Sequence, residues 1–267
     1  MDNTDHSILS VNSLGIGYRT GRSGRILLPP LTASANRGEL VAVIGRNGIG
    51  KSTLLRTIIG IQPAFGGKIF IKGEELCGIP RLELARKIGY ISTEIVSVSN
   101  MTVYDLVALG RFPHTNWIGT IDRKSREAID AALVKTRMDS FAGRYITELS
   151  DGERQRVMIA RVLAQDASIM VMDEPLAFLD LPGKHEIANL IHKLAGSGRT
   201  IIFSTHDLSI ALRVADRIWF LYKEGIIEGT PQNLLELGSL NSMFESETLE
   251  DGPFSGSSVR DYLKNFL

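Results

Sequence analysis

Three short, mainly apolar runs divide the chain, at positions 40–44, 168–172 and 200–204. Unbroken apolar runs of about five residues are typical of strands buried on both faces of a parallel sheet. Apolar residues with helical spacing lie between these runs, at 51–59, 153–165, 185–195 and 209–215. The alternation predicts an α/β fold with a largely parallel sheet.

Two other parts of the chain have different patterns. Residues 8–17, the glycine- and arginine-rich turn at 20–24, and residues 67–73 between glycines predict an N-terminal antiparallel β subdomain. From about residue 102 to 163 the spacing is helical, which predicts an inserted α-helical subdomain. We therefore expect a single domain over 1–267. Its core comprises 1–93 and 163–240, its helical insert comprises 94–162, and the structure of the 241–267 tail is left open.

A glycine-rich segment follows the first apolar run and precedes the first helix. It reads Gly-Arg-Asn-Gly-Ile-Gly-Lys-Ser at 45–52 and matches the phosphate-loop pattern G-x-x-x-x-G-K-[ST]. Glycines let backbone N–H groups turn inward around phosphate oxygens, and the helix N-terminus favours anions. Lys51 can reach the β- and γ-phosphates, and Ser52 can offer its hydroxyl to Mg²⁺. The predicted nucleotide-binding residues here are Gly45, Arg46, Asn47, Gly48, Ile49, Gly50, Lys51, Ser52 and Thr53.

The other two apolar runs also end in polar residues. Asp173 and Glu174 follow the second run, at the carboxyl end of a strand, where open α/β sheets bind ligands. We expect Asp173 to serve Mg²⁺ and Glu174 to orient and polarise an attacking water. His206 follows the third run and could contact the γ-phosphate. Taken alone, paired acids before a proline are also ordinary turn chemistry, and a lone histidine is often a plain loop residue.

The helix before Asp173 opens with Leu-Ser-Asp-Gly-Glu-Arg-Gln at 149–155. Ser150 is a good N-cap and Glu153 lies three residues later, so a capping box explains the spacing. Alternatively, Ser150 and the Gly152 N–H group present this helix N-terminus to an anion.

Composition limits the class of protein. Of the 267 residues, 43% are hydrophobic, which supports a packed core. The 30 Lys+Arg are balanced by 30 Asp+Glu, and this absence of a net positive charge argues against a nucleic-acid partner. The single cysteine, Cys77, allows no intramolecular disulfide. The first ten residues do not resemble a secretory signal, and apolar runs are too short to span a membrane. We expect a cytoplasmic protein whose association with a membrane is peripheral.

These motifs, in this order, resemble the ATP-binding subunit of an ABC transporter over about residues 8–235. Residues 45–52 are similar to its Walker A motif, 169–174 to Walker B with the catalytic glutamate, and 149–153 to its signature. Residues 177–180, ending at Asp180, resemble the D-loop, His206 the switch histidine, and Tyr18 the aromatic that stacks on adenine. Simple packing also explains a lone tyrosine near a strand end. The resemblance implies a P-loop ATPase core with ATP and Mg²⁺ as cofactors.

Residues 101–113, with Trp117, Asp122 and the 228–231 segment, resemble the group that serves importers of iron(III)-siderophores, haem and cobalamin. This implies that two copies of the chain sandwich two ATP molecules, each site completed by the other copy's Ser150 and Gly152. It also implies that the chain binds a polytopic membrane permease peripherally, at the cytoplasmic face of the inner membrane, and that it works indirectly with a substrate-binding protein.

We expect the permease to dock on the groove beside Glu94 and on residues 102–117, through a cluster at Arg111, Phe112, His114 and Trp117. Aromatic residues and arginine are enriched in interface hot spots. Alternatively, Phe112 and Trp117 fill the subdomain's own core.

Two departures from the family pattern stand out. Residues 86–94 should end in a Pro-Gln pair, but Thr93 occupies the glutamine position and Glu94 follows it. We expect Glu94 to coordinate Mg²⁺ instead, the alternative being that Thr93 reaches the metal through water. In the signature, Asp151 and Glu153 replace a glycine and a glutamine, and Arg154 can offset their charge.

Other classes of protein remain open. An ABC ATPase of another transporter class shares all these motifs. A soluble ABC ATPase of DNA repair or translation usually carries long coiled-coil insertions or tandem cassettes, for which this chain has no room. A P-loop kinase or GTPase would lack the 149–153 signature and His206, and a non-enzymatic scaffold would be expected to lack Glu174.

Overall fold

The computed structural model describes residues 7–20, 23–94, 98–115 and 119–236. The strands are β1 (Ser7–Gly15), β2 (Gly17–Thr20), β3 (Ser23–Ile26), β4 (Leu31–Asn36), β5 (Leu40–Ile44), β6 (Gly66–Ile71), β7 (Glu74–Glu75), β8 (Ile88–Ile91), β9 (Ile169–Met172), β10 (Thr200–Ser204), β11 (Arg217–Tyr222) and β12 (Gly225–Gly229). The α-helices are α1 (Lys51–Ile58), α2 (Arg81–Lys87), α3 (Val103–Ala108), α4 (Arg123–Thr136), α5 (Asp151–Ala164), α6 (Leu181–Gly196), α7 (Leu208–Val214) and α8 (Pro231–Glu236).

The central sheet has six strands in the order β12-β11-β5-β10-β9-β8. All neighbours are parallel except β12, which pairs antiparallel with β11 at one edge. The three predicted strands are therefore confirmed as the adjacent strands β5, β10 and β9. The sequence prediction did not single out β8 and β11, which flank them.

Burial on both faces explains why the central strands are continuously apolar. Leu40, Ala42 and Ile44 of β5 pack into a core cluster with the helices α3–α7, while Val41 and Val43 pack into a second cluster with β1, β4, β6 and α1. Successive side chains of a strand point to opposite faces. Every residue of β5 is therefore withdrawn from water.

The N-terminal antiparallel β subdomain is also confirmed. Four strands pair in the order β4-β1-β6-β7, and β2 pairs with β3 in a separate ladder that carries Tyr18 opposite Arg25. Gln62 donates a hydrogen bond to the Gly17 carbonyl, which ties β2 to the segment after α1.

Helices α3, α4 and α5 form the inserted helical region, and each begins at a capping side chain: Thr102, Asp122 and Ser150 respectively. Each cap accepts a hydrogen bond from a backbone N–H group of the first turn, which would otherwise have no partner. Helix α6 begins at Leu181, four residues before the predicted start, because Asp180 caps it by accepting from the Gly183 N–H group. The division into core and insert at residue 94 stays a prediction.

The predicted docking cluster is only partly on the surface. Arg111 is buried, with 4% of its surface exposed, and donates to the carbonyl of Ala164 at the end of α5 at 2.8 Å. His114 Nε2 lies 2.8 Å from the carbonyl oxygen of Gln165, the residue that follows Ala164. Both side chains anchor residues 109–114 to α5. The prediction of the buried Arg111 as an interface residue is therefore wrong, while that of the half-buried His114 stays a prediction.

Phe112 does not fill the subdomain's core, because 72% of its surface is exposed. Trp117, the other member of the cluster, lies outside the described residues. None of the helices that the structure describes is long and apolar enough to cross a membrane.

Candidate active site

The phosphate loop leaves the carboxyl end of β5 and enters α1. Gly45, Gly48 and Gly50 all have positive φ, at 153°, 81° and 117°. A Cβ at Gly45 would also lie 2.6 Å from the backbone oxygen of Leu221. Only glycine adopts these conformations at low cost, so the loop can wrap its N–H groups around an anion.

The Lys51 side chain lies inside this loop and is buried, with 6% of its surface exposed. Its Nζ donates to the carbonyl of Gly45 at 2.9 Å and to that of Arg46 at 3.4 Å. Burial of an ammonium group costs free energy unless it is paired, and here the loop's own carbonyls supply partners. The lysine is therefore held where a phosphate group would sit against the loop.

Asp173 is fully buried at the end of β9. Its Oδ1 accepts from the Ser52 hydroxyl at 2.9 Å and from the Ser204 hydroxyl at 2.8 Å. Its Oδ2 is also buried and has no hydrogen-bond partner among the described residues. A buried carboxylate oxygen without a partner is costly, so this oxygen fits a cation or a cation-bound water.

Glu174 lies between two cationic or ionisable groups. Its Oε1 lies 3.5 Å from Lys51 Nζ, and its Oε2 lies 3.0 Å from His206 Nδ1. The three residues predicted to be catalytic are thus brought together, although they come from the ends of three different elements. This follows from the strand order, because the carboxyl ends of the neighbouring strands β5, β9 and β10 meet at one edge of the sheet.

An open cleft of about 700 Å³ covers this group. Its described lining residues are Tyr18, Asn47, Gly48, Gly50, Lys51, Ser52, Thr53, Thr93, Glu94, Glu174, Ala177, Phe178, Leu179, Lys184 and His206. Tyr18 stands at the Thr53 end, where its hydroxyl is 2.6 Å from Thr53 Oγ1 and half of its surface is exposed. Thr93 and Glu94 both reach the cleft, so the choice between them stays open.

The signature residues Ser150 and Gly152 do not line this cleft, nor does Asp180. Ser150 closes a capping box with Glu153: its backbone N–H and its hydroxyl each donate to Glu153 Oε2 at 2.8 Å. These hydrogen bonds lower the pKa of Glu153. Arg154 pairs with Asp151 at 3.0 Å, which offsets one of the two signature acids.

Sequence reasoning missed Ser204, which contacts Asp173 directly. The available signal was a hydroxyl directly after three consecutive apolar residues, at 201–203. That signal becomes informative only once β10 is known to lie beside β9.

The fold and site together define a P-loop nucleotide-binding protein. The ABC transporter family model matches residues 28–177, more than half of the chain. The chain therefore belongs to the ABC transporter family, and the prediction of an ATP-hydrolysing ABC subunit is confirmed.

Relatives and solved structures agree with this assignment. The iron(3+)-hydroxamate import ATP-binding protein FhuC of Bacillus subtilis is 35% identical over 239 residues, covering 89% of this chain and 87% of that protein. The cobalamin import ATP-binding protein BtuD of Halobacterium salinarum is 33% identical over 227 residues, covering 84% of this chain and 56% of that protein. The dimeric ATP-binding cassette MJ0796 bound to ADP and Pi superposes with a TM-score of 0.72 at 26% identity, covering 84% of this chain and 98% of that chain.

Proposed function

We propose that this chain powers a membrane importer of iron-siderophore, haem or cobalamin-type compounds by hydrolysing ATP. The observation that carries the catalytic part is the convergence of Lys51, Glu174 and His206 beside the buried carboxylate of Asp173. The relatives that import iron(3+)-hydroxamate and cobalamin support the transport part.

Each of the three residues Lys51, Glu174 and His206 has its own role in the proposed hydrolysis. Lys51 leaves the Gly45 carbonyl and pairs with the β- and γ-phosphates, for which its charge has greater affinity. This movement also frees Glu174 Oε1 to accept a hydrogen bond from the attacking water. His206 keeps Glu174 oriented through Oε2 and faces the γ-phosphate.

The donor set fits Mg²⁺, which supplies positive charge to the phosphates when bound. Ser52 and Asp173 would hold it, with Glu94 as the further ligand. No group of three or more histidine, cysteine or acidic side chains clustered for a metal occurs among the described residues. Mg²⁺ is commonly held by one or two protein groups together with substrate phosphates and water, so this small set is sufficient.

A Mg²⁺ titration of ATPase activity distinguishes the two candidates for the missing glutamine. We expect Glu94→Gln to shift the Mg²⁺ midpoint, because a charged oxygen is replaced by a neutral one, while Thr93→Gln leaves it in place. A shift caused only by Thr93→Gln would assign the position to Thr93.

We propose that two copies of the chain form the working unit, as in the dimeric MJ0796 cassette. Ser150 and Gly152 are absent from the lining of their own chain's cleft. Ser150 caps α5 and Gly152 lies in its first turn, where the helix dipole favours an anion. Asp151 and Glu153 in the same turn oppose an anion, and Arg154 offsets Asp151. In the proposed dimer Ser150 and Gly152 complete the second copy's cleft.

The permease is proposed to dock beside the helical region at the cytoplasmic face of the membrane, where this chain is bound peripherally. The exposed ring of Phe112 and the groove beside Glu94 are the contacts we retain, since Arg111 is buried against α5. A Thr115→Cys variant should cross-link to the permease in the assembled complex. Absence of cross-links from every position at 102–115 would move the interface elsewhere.

Uptake assays test the transport function. A strain that lacks the gene should fail to take up labelled ferric hydroxamate or cobalamin. The wild-type gene should restore uptake of one of them, and Glu174→Gln should not. As a matched control, Glu186→Gln alters an exposed glutamate that does not line the cleft and should restore uptake. Normal uptake of every tested chelate in the deletion strain would argue against this substrate class.

A further inference from the structure

Ser204, the last residue of β10, lies between the two acids of the site and is fully buried. Its hydroxyl donates to Asp173 Oδ1 at 2.8 Å and accepts from the Glu174 backbone N–H at 2.8 Å. A serine hydroxyl has one proton to donate and lone pairs to accept with. One hydroxyl therefore links the side chain of Asp173 to the backbone of Glu174.

The strand register explains why this serine reaches both residues. Phe203 of β10 pairs in parallel with Met172 of β9, so Ser204 and Asp173 each follow a paired residue. The Asp173 N–H group still donates to the neighbouring strand, at the Ile91 carbonyl. The Glu174 N–H group donates to a side chain instead, so the Ser204 hydroxyl takes the place of a backbone acceptor where the strand ends.

The backbone of Glu174 needs such an anchor. Its φ is +47°, in the left-handed region that side-chain-bearing residues rarely adopt. It also precedes Pro175, and a residue before proline normally prefers an extended conformation. Such a conformation persists only where surrounding contacts hold it.

The other contacts of Glu174 are less able to fix its backbone. Its carbonyl accepts from Ala177 N–H at 3.0 Å, within the same turn. Its carboxylate contacts Lys51, which is expected to turn to the phosphates, and His206, whose side chain is 54% exposed. Ser204 supplies the buried contact from a neighbouring strand.

We propose that Ser204 is a positioning residue for ATP hydrolysis. It holds the Glu174 backbone in the left-handed conformation that directs the carboxylate between Lys51 and His206, and it uses Asp173 as its own anchor. This inference rests on the proposed role of Glu174 as the residue that activates water. Without the hydroxyl, the Glu174 N–H group loses its acceptor, the backbone relaxes, and the carboxylate leaves the water.

Three substitutions of Ser204 distinguish the effect of its hydroxyl group from the effect of its size. Ser204→Ala removes the hydroxyl, Ser204→Cys fills its place with a larger sulfur that is only a weak donor and acceptor, and Ser204→Thr keeps the hydroxyl. With the purified full chain, we expect kcat to fall by about 30-fold or more for Ala and Cys, while KM for ATP changes by less than about threefold. Ser204→Thr should recover most of the rate.

Thr205 provides a matched control, because its hydroxyl is also buried but accepts from the Asp207 N–H group at 3.0 Å. Thr205→Val should lose a similar amount of thermal stability yet keep kcat within about threefold. Equal losses of kcat in Thr205→Val and Ser204→Ala would mean that Ser204 is merely structural. Should Ser204→Ala fail to fold, Ser204→Cys carries the comparison.

A double-mutant cycle tests whether Ser204 acts through Glu174. In a Glu174→Gln background, single-turnover phosphate release should fall by less than about threefold on adding Ser204→Ala. An equal loss in both backgrounds, or a raised KM with unchanged kcat, would overturn the inference. If Glu174→Gln itself keeps the full rate, the proposed role of Glu174 fails. If only Glu174→Gln loses rate, the inference about Ser204 fails alone.

Discussion

Replacing Glu174 with glutamine tests the centre of the site with almost no change of shape. The amide oxygen can still face Lys51 Nζ, which lies 3.5 Å from Oε1, and the amide nitrogen takes the position of Oε2, 3.0 Å from His206 Nδ1. The negative charge and the ability to take a proton from water are lost. Substrate binding and chemistry should therefore respond differently.

The expected loss of rate follows from general-base catalysis. A positioned base contributes about 10²–10⁴-fold, so turnover should fall at least ~100-fold, equivalent to about 2.7 kcal/mol of activation free energy. ATP binding should be unchanged or tighter, because Glu174 no longer competes with the phosphates for Lys51. The hydrolysis-dead site should also retain both nucleotides and hold two copies of the chain together.

Three measurements check these expectations. Phosphate release at saturating ATP gives kcat, calorimetry gives the ATP affinity, and gel filtration with ATP and Mg²⁺ shows whether a dimer accumulates. Glu186→Gln removes the same charge from an exposed position and should leave all three unchanged. Unchanged turnover in Glu174→Gln would refute the assignment of this residue as the base.

Other substitutions test the phosphate loop, the packing of the insert and the helix cap. Lys51→Ala should abolish nucleotide binding at millimolar ATP, and wild-type affinity by calorimetry would contradict this. Gly110→Ala should destabilise the protein by about 2–3 kcal/mol in urea denaturation, because its Cβ would lie 2.0 Å from the backbone oxygen of Arg161. Gly143→Ala, with open space around its Cβ, should not. Glu153 has a lowered pKa, so its charged form stabilises the fold above its usual pKa of 4.5, and this contribution is lost as pH falls further. The difference in Tm between wild type and Glu153→Gln should therefore be larger at pH 7 than at pH 4.

The sequence predicts the central fold well where one physical constraint dominates. Strands β5, β9 and β10 are buried on both faces, so their unbroken apolar runs stand out. Strand β8 is a weaker signal, because it has only four residues, includes Gly89 and follows α2 directly. Strand β11 carries the apolar run Ile218–Leu221 and could have been predicted from the same rule.

The residues of the site also differ in how well the sequence predicts them. Lys51, Asp173, Glu174 and His206 are predictable as neighbours, because each follows a parallel strand and such strand ends meet at one edge. Ser204 is not, because its role requires the order β5-β10-β9, which motif spacing does not contain.

Arg111 shows another limit of sequence reasoning. In the sequence, an arginine near aromatic residues predicts an exposed interface residue. In the fold its guanidinium satisfies a backbone carbonyl at the end of α5, and that contact depends on tertiary packing.

Helix α5 connects the two ends of the proposed nucleotide sandwich within one rigid rod. Its fourteen residues span about 21 Å, from the cap at Ser150 to Ala164. Strand β9 then begins at Ile169 and leads directly to Asp173. A tilt of about 10° about the β9 end would move the capped end by about 4 Å. In the proposed dimer, α5 would therefore act as a lever whose far end carries the signature. In that dimer, a small rotation of the insert imposed by the proposed permease would displace Ser150 by several ångströms relative to the second copy's nucleotide.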